Sequence, residues 1–295
     1  MLFLQEGRSM SKYKYSQFGT LKTTIELEEY MQRAYTHSGY YHYTTLNNIN
    51  SILESKEFWL SSVTRFNDTV DTSAFGEDAD LFFSLSFSTG VNENMPLWYL
   101  YSGTDGKGGR IRVPKSQICK LVREGRYYLS TNTTSICLKE LNDTNSELMF
   151  KDVIYYKERI GTNPCVDLKY NNLTNYSQIS LDDFNLYKEK NKGFCKYIIW
   201  YYEKETRLVI KLKGDAKEYV ENNKLGKDEN YVVKLSYEMI PKLKQSIKID
   251  LAPEVTDIHR SIEGMDAIKS HIIETSNISK SMYSGQINMR LNRRK

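Results

Sequence analysis

Leu81–Ser88 (LFFSLSFS) alternates Phe83, Leu85 and Phe87 with Ser84, Ser86 and Ser88. Side chains along a strand point to opposite faces with period two, so this segment is a strand with one apolar and one polar face. The chain must build at least one half-buried sheet. The serine face is expected to be the solvated one, and Arg110–Val113 is expected to return as the hairpin partner.

The neighbouring segments extend the pattern. Tyr40–Thr44 reads as a strand, Thr45 as an N-cap, and Leu46, Ile49, Ile52 and Leu53 as the apolar stripe of a helix that ends at Glu54–Glu57. Phe58–Ser61 reads as a second short strand and Arg65–Asp68 as a loop. Trp98, Tyr99 and Tyr101 fall in a helix or loop, Gly103–Gly109 in a flexible turn, and Pro114–Glu124 in a helix. Short strands are expected at Ser135–Leu138 and Asp152–Tyr156, with the least regular structure at Gly161–Ser180. Leu181–Asn191 is helical, and Trp200–Leu212, Tyr231–Leu235 and Gln245–Asp250 read as strands. Outside these lie a helical stretch at Thr24–Tyr35, a helical or mixed stretch at Pro253–Ser276 and a basic end at Asn288–Lys295. Without repeats or a Pro/Gly linker, one α+β domain over 40–255 is the economical reading. Residues 1–39 form an N-terminal extension and 256–295 a helical, basic tail.

The 295 residues allow a core of useful size. No apolar run approaches the roughly 20 residues that cross a bilayer. The opening Met1–Glu6 is too short for a signal peptide, so a cytoplasmic protein without a membrane partner is expected. Cys119, Cys137, Cys165 and Cys195 lie far apart, and the 4 histidines are not at ligand spacing, so no metal is expected. A net charge of +4 is compatible with nucleic acid and does not require it.

Several local features bear on chemistry. Glu203 and Glu205, read as two positions apart on one strand, would share a face with Arg207. Such a row is either a surface edge with cross-strand ion pairs or a catalytic pair. His42 sits mid-strand, where a histidine is either structural or a ligand grip. Gly103–Gly109 lacks the spacing of a phosphate loop. G-x-S-x-G and H-E-x-x-H are absent.

Tyr40–Leu60 (YYHYTTLNNINSILESKEFWL), Arg65-Phe66-Asn67-Asp68, the Leu81–Ser88 strand, Trp98 and Tyr101 ahead of Gly-Lys-Gly-Gly, and the E-x-E-x-R row occur in one order. This order resembles a widespread bacterial family of domains of unknown function over roughly residues 40–255. That family in turn resembles the ADP-ribosyltransferase superfamily. The HYT opening is similar to the DarT-type nucleic-acid enzymes, and E-x-E to the mono-ADP-ribosyltransferase toxins. The resemblance implies a single mixed or antiparallel sheet with flanking helices, using NAD as substrate and no metal. The first strand departs from the arginine-led toxins by carrying His42, and Ser84, Ser86 and Ser88 echo their Ser-Thr-Ser motif only loosely.

By this resemblance Glu205 is the catalytic acid, Glu203 orients the nucleophile, and His42 bonds the ribose hydroxyls beside Thr44. Tyr43, Tyr101 or Trp98 would stack on nicotinamide. Arg65, with Asn67 in its turn, and Arg207 would meet pyrophosphate, with pairing to Glu203 as the alternative for Arg207, and Ser86 would contact the dinucleotide. Cleaving the nicotinamide–ribose bond forms an oxocarbenium-like centre, which a carboxylate stabilises where water is excluded. The DarT likeness favours a base in single-stranded RNA or DNA as acceptor, while E-x-E favours a protein side chain such as arginine. The setting implied is an intracellular toxin of a toxin–antitoxin or phage-defence locus, with an antitoxin partner. The competing readings are an inactive NAD or nucleic-acid binding module and a structural component, the latter expecting an exposed Glu205.

Overall fold

The computed structural model describes residues 37, 39–66, 68–90, 92–103, 107–131, 135–138, 145–169, 177–223, 231–255 and 277–284. The expected helix at Thr24–Tyr35, most of the stretch at Pro253–Ser276, the basic end and Asn67 lie outside them.

The chain is α+β. It runs β1 (Gly39–Thr45), α1 (Leu46–Ser55), β2 (Glu57–Ser62), α2 (Thr69–Ser73), β3 (Phe82–Ser88), α3 (Met95–Tyr101), β4 (Gly108–Pro114), α4 (Lys115–Glu124), β5 (Arg126–Ser130), β6 (Ser135–Cys137), β7 (Ser146–Asp152) and β8 (Ile154–Arg159). It continues through β9 (Cys165–Lys169), β10 (Ser177–Ser180), α5 (Leu181–Lys190), β11 (Cys195–Tyr197), β12 (Glu205–Leu212), α6 (Gly214–Asn222), β13 (Val232–Ser236), α7 (Pro241–Ser246), β14 (Lys248–Leu251) and β15 (Ile278–Lys280). The Thr45 side chain caps α1 by accepting from the Asn48 N–H, and Leu46, Ile49, Ile52 and Leu53 are all buried, as the sequence implies.

β3 organises the larger sheet. One of its edges pairs antiparallel with β12 along its length, from Lys211↔Phe82 to Glu205↔Ser88. The other edge is shared: β2 takes Ser61↔Ser84 and Ser62↔Phe83, and β1 touches only at Tyr41↔Ser88. Between those contacts β1 and β2 part, and the edge of Leu85–Phe87 faces a fork. β1 pairs fully with β4, which pairs with β14, while β2 leads to β13, β5 and β6. The expected β3–β4 hairpin therefore does not form: β4 pairs with β1 and β14 instead. Long connections carry both strands to partners that local spacing cannot reveal.

Register assigns the two faces. Tyr40, Phe83, Leu85, Phe87, Ile111, Leu208 and Ile210 lie on the core face. Tyr41, Tyr43, Ser84, Ser86, Ser88, Arg110, Glu205 and Arg207 lie on the other. That second face is not solvated: Ser84 and Ser88 are buried and Ser86 is half-buried, because further elements cover it. Gly108 and Gly109 let helices close on β4 from both sides, and are strand residues rather than turn. A Cβ on Gly109 would meet the Ile49 Cδ1 of α1 at 2.6 Å. One on Gly108 would meet the Ser102 Cα, just after α3, at 2.4 Å and the Thr44 carbonyl at 2.8 Å. These are backbone neighbours that cannot step aside. Gly108→Ala is expected to cost about 1–3 kcal/mol through overpacking, read as a lower urea midpoint.

A second sheet, ordered β10-β9-β8-β11, draws β9 and β10 from the segment expected to be least regular. With α5 it builds its own small core of Ile154, Tyr156, Val166, Leu168, Ile179, Phe184, Tyr187 and Cys195. Tyr155 and Lys196 are paired across β8 and β11, so they share the opposite face, which turns toward β12. The expected single strand at Asp152–Tyr156 is two strands, broken at Val153. Part of the expected strand at Gln245–Asp250 is the end of α7.

Candidate active site

Glu203 and Glu205 do not share a strand. β12 begins at Glu205, and Glu203 closes a 3₁₀ turn over Ile198–Glu203. Lys204 between them is left-handed, with φ 45° and ψ 54°. A residue with a Cβ is disfavoured there by roughly 1 kcal/mol. The turn is pinned by the Thr89 backbone N–H and hydroxyl, both donating to the Lys204 carbonyl at 2.9 Å. Asn94 adds a second tie by donating from its side chain to the Tyr202 carbonyl. Strand alternation would put both carboxylates on one face; the fold instead brings them together by a strained turn and a shared lysine.

That lysine is Lys196. Its Nζ lies 2.6 Å from Glu203 Oε2 and 3.5 Å from Glu205 Oε2. Arg207, which does share a face with Glu205, donates to both of its oxygens, from Nε at 2.7 Å and Nη2 at 2.9 Å. The guanidinium also grips Asp71 of α2 at 2.9 and 2.5 Å, and Nη1 donates to the Gly193 carbonyl at 2.7 Å. Ser86 adds a hydrogen bond to the Glu205 carboxylate, and the Glu205 N–H donates to the Tyr155 hydroxyl at 2.8 Å. Asp71, Lys196, Glu203, Glu205 and Arg207 are all buried. The surface-edge reading of this row is thereby overturned.

Environment separates the two acids. Burial, then the Glu205 charge, pushes Glu203 up to about 7, with Lys196 opposing. Burial pushes Glu205 up as well, but Arg207, Lys196 and the hydrogen bonds from Arg207 and Ser86 outweigh it and hold the carboxyl at about 2. Glu203 Oε1 is buried and unpartnered among the described residues.

Glu203, raised in the fold, contributes stability that is present below its ordinary 4.5 and lost as pH rises to about 7. Glu205, held low, contributes stability present above 4.5 and lost as pH falls toward 2. Urea titrations should find that Glu203→Gln removes the fall between pH 4.5 and 7.

The other expected site residues divide. Tyr101, at the end of α3, is 37% exposed, and burial of its hydroxyl followed by the Glu203 and Glu205 charges pushes its pKa up, keeping the hydroxyl neutral. It belongs with the glutamates. His42 does not touch them: register puts it on the core face, its ring against Phe58 and Phe87. Its Nδ1–H donates to the Ser86 carbonyl at 3.0 Å, satisfying a backbone group that the fork leaves without a strand partner. Burial lowers its ionisation, with the Ser86 carbonyl opposing. His42 thus meets the site only through the Ser86 backbone. Thr44 lies on the same core-side face and accepts from the Asn48 side chain at 2.9 Å.

Tyr43 and Trp98 are sealed rather than presented for stacking. Their rings meet edge to face at 4.7 Å. The Tyr43 hydroxyl accepts from Arg110 at 3.0 Å and from the Asn94 N–H, while Trp98 Nε1 donates to Glu93 at 3.1 Å. Arg207 is committed to Asp71 and Glu205, not to a pyrophosphate and not to Glu203. Arg65 is exposed at the end of the 3₁₀ turn after β2. Lys196, Asp71 and Tyr155 were missed; no local pattern marks them. The four cysteines are free, and burial pushes the Cys195 thiol up to about 12, consistent with structural thiols.

No protein-family model, curated protein or solved structure matches the chain. No helix among the described residues is long and apolar enough to cross a membrane.

Proposed function

We propose that the chain is an NAD-dependent mono-ADP-ribosyltransferase acting on a base of single-stranded RNA or DNA, as the toxin of a toxin–antitoxin or phage-defence pair. The observation that carries this reading is the pair of buried glutamates with opposed ionisation at the start of β12, held together by Lys196 and Arg207. Neighbouring acids whose environments push them apart suit one electrostatic and one proton-accepting role. Glu205, ionised and gripped by Arg207, stabilises the sugar cation as the ribose C1–N bond breaks and its electron pair neutralises the pyridinium nitrogen of nicotinamide. Glu203 takes the proton from the acceptor as the new bond forms at C1, through the unpartnered Oε1. Ser86 orients Glu205, and Tyr101 supplies an aromatic wall.

NAD suits this donor set in chemistry: a buried anion beside Glu203 Oε1 and the Ser84 hydroxyl, both unpartnered among the described residues. Burial of Glu205 also runs against the structural-component reading. The test is incubation with NAD labelled in its adenylate, beside separate pools of single-stranded RNA, single-stranded DNA and lysate protein. Label on a nucleic-acid pool supports the reading, label on protein alone moves the acceptor to a side chain, and label on none overturns transfer.

A further inference from the structure

We propose that Lys196 is a positioning residue that divides the work between the two acids, committing Glu203 to proton traffic and Glu205 to the sugar cation. This rests on the transferase reading. Arg207 cannot do the dividing, since Asp71, Glu205 and the Gly193 carbonyl occupy its donors. Lys196 reaches both acids but unequally, at 2.6 and 3.5 Å, and its ammonium is steadied 4.8 Å over the Trp200 ring. β11 delivers it from the small sheet, where pairing opposite Tyr155 fixes its approach, and the turn that carries Glu203 begins directly after that strand.

Charge counting gives the same division. Asp71, Glu203 and Glu205 set three carboxylates against two buried cations, Lys196 and Arg207. One proton more is held most cheaply on the carboxylate with an unpartnered oxygen, which is Glu203. The groups facing Glu203 are Tyr202 beside it in the turn, Glu205 and Arg207 on β12, Lys196 on β11, Tyr155 on β8 and Tyr101 on α3. Asp71 is bonded to Arg207. Among these, Lys196 is the cation bonded directly to Glu203, so its loss raises the carboxyl further.

The test compares wild type, Lys196→Met and Lys196→Arg. The Glu203 carboxyl is titrated by carbon-13 NMR, with Glu203→Gln as the assignment control, alongside the pH profile of ADP-ribosyl transfer. Lys196→Met is expected to move the Glu203 midpoint and the acid limb of the profile upward together, by about one to three pH units. Lys196→Arg is expected to restore both. A packing role alone would move neither. An unchanged Glu203 midpoint in folded Lys196→Met overturns the proposal; Lys196→Gln replaces it if the methionine variant does not fold. A midpoint that moves in a chain whose wild type transfers nothing overturns the transferase reading while supporting the hold of Lys196 on Glu203.

Discussion

Glu205→Gln is expected to lower ADP-ribosyl transfer at least about 100-fold, the scale on which removing one preorganised electrostatic group acts. The amide keeps the shape of the carboxyl, but only its oxygen can accept, so one of the two Arg207 bonds is lost together with the charge. Arg207 retains its paired contacts to Asp71 and the Gly193 carbonyl. Weakening one side of a buried ion cluster should still cost roughly 3 kcal/mol, visible as a lower urea midpoint in a folded protein. NAD binding, read by calorimetry, should survive. A variant that transfers at the wild-type rate would remove Glu205 from the mechanism.

The largest effect on folding is expected at Arg207. It is 1% exposed and is the main partner of both Asp71 and Glu205. Arg207→Met fills similar space but leaves two carboxylates facing each other without their shared cation. Removing one partner of a buried pair costs about 3–5 kcal/mol, and here two pairs are broken at once. Thermal denaturation should find the variant unfolded or strongly destabilised, and less so at acid pH, where the stranded carboxylates can protonate. A change in midpoint too small to measure would mean that the cluster is not the buried keystone its distances describe.

The sequence made one part of this arrangement legible and hid the other. The strand at Phe82–Ser88, the capped helix after Thr45 and the shared face of Glu205 and Arg207 all follow from local periodicity. The shared lysine does not, nor does Asp71, whose bond to Arg207 closes a separation of 136 residues. Lys204 also conceals the turn, because a left-handed position is normally signalled by Gly or Asn. The faces of β1 depended on register: His42 and Tyr43 adjoin in sequence, so a single pairing, Tyr41↔Ser88, decides which one joins the glutamates' face. The serine face reads as solvated on its own, and is buried because α3 and the small sheet arrive from elsewhere in the chain.

Proton nuclear magnetic resonance of NAD incubated with the protein and single-stranded nucleic acid follows the one bond that a transferase must break. Wild type is expected to release free nicotinamide stoichiometrically, and Glu205→Gln to leave NAD intact. NAD left intact by both, with each protein folded and each acceptor pool supplied, would contradict the transferase reading.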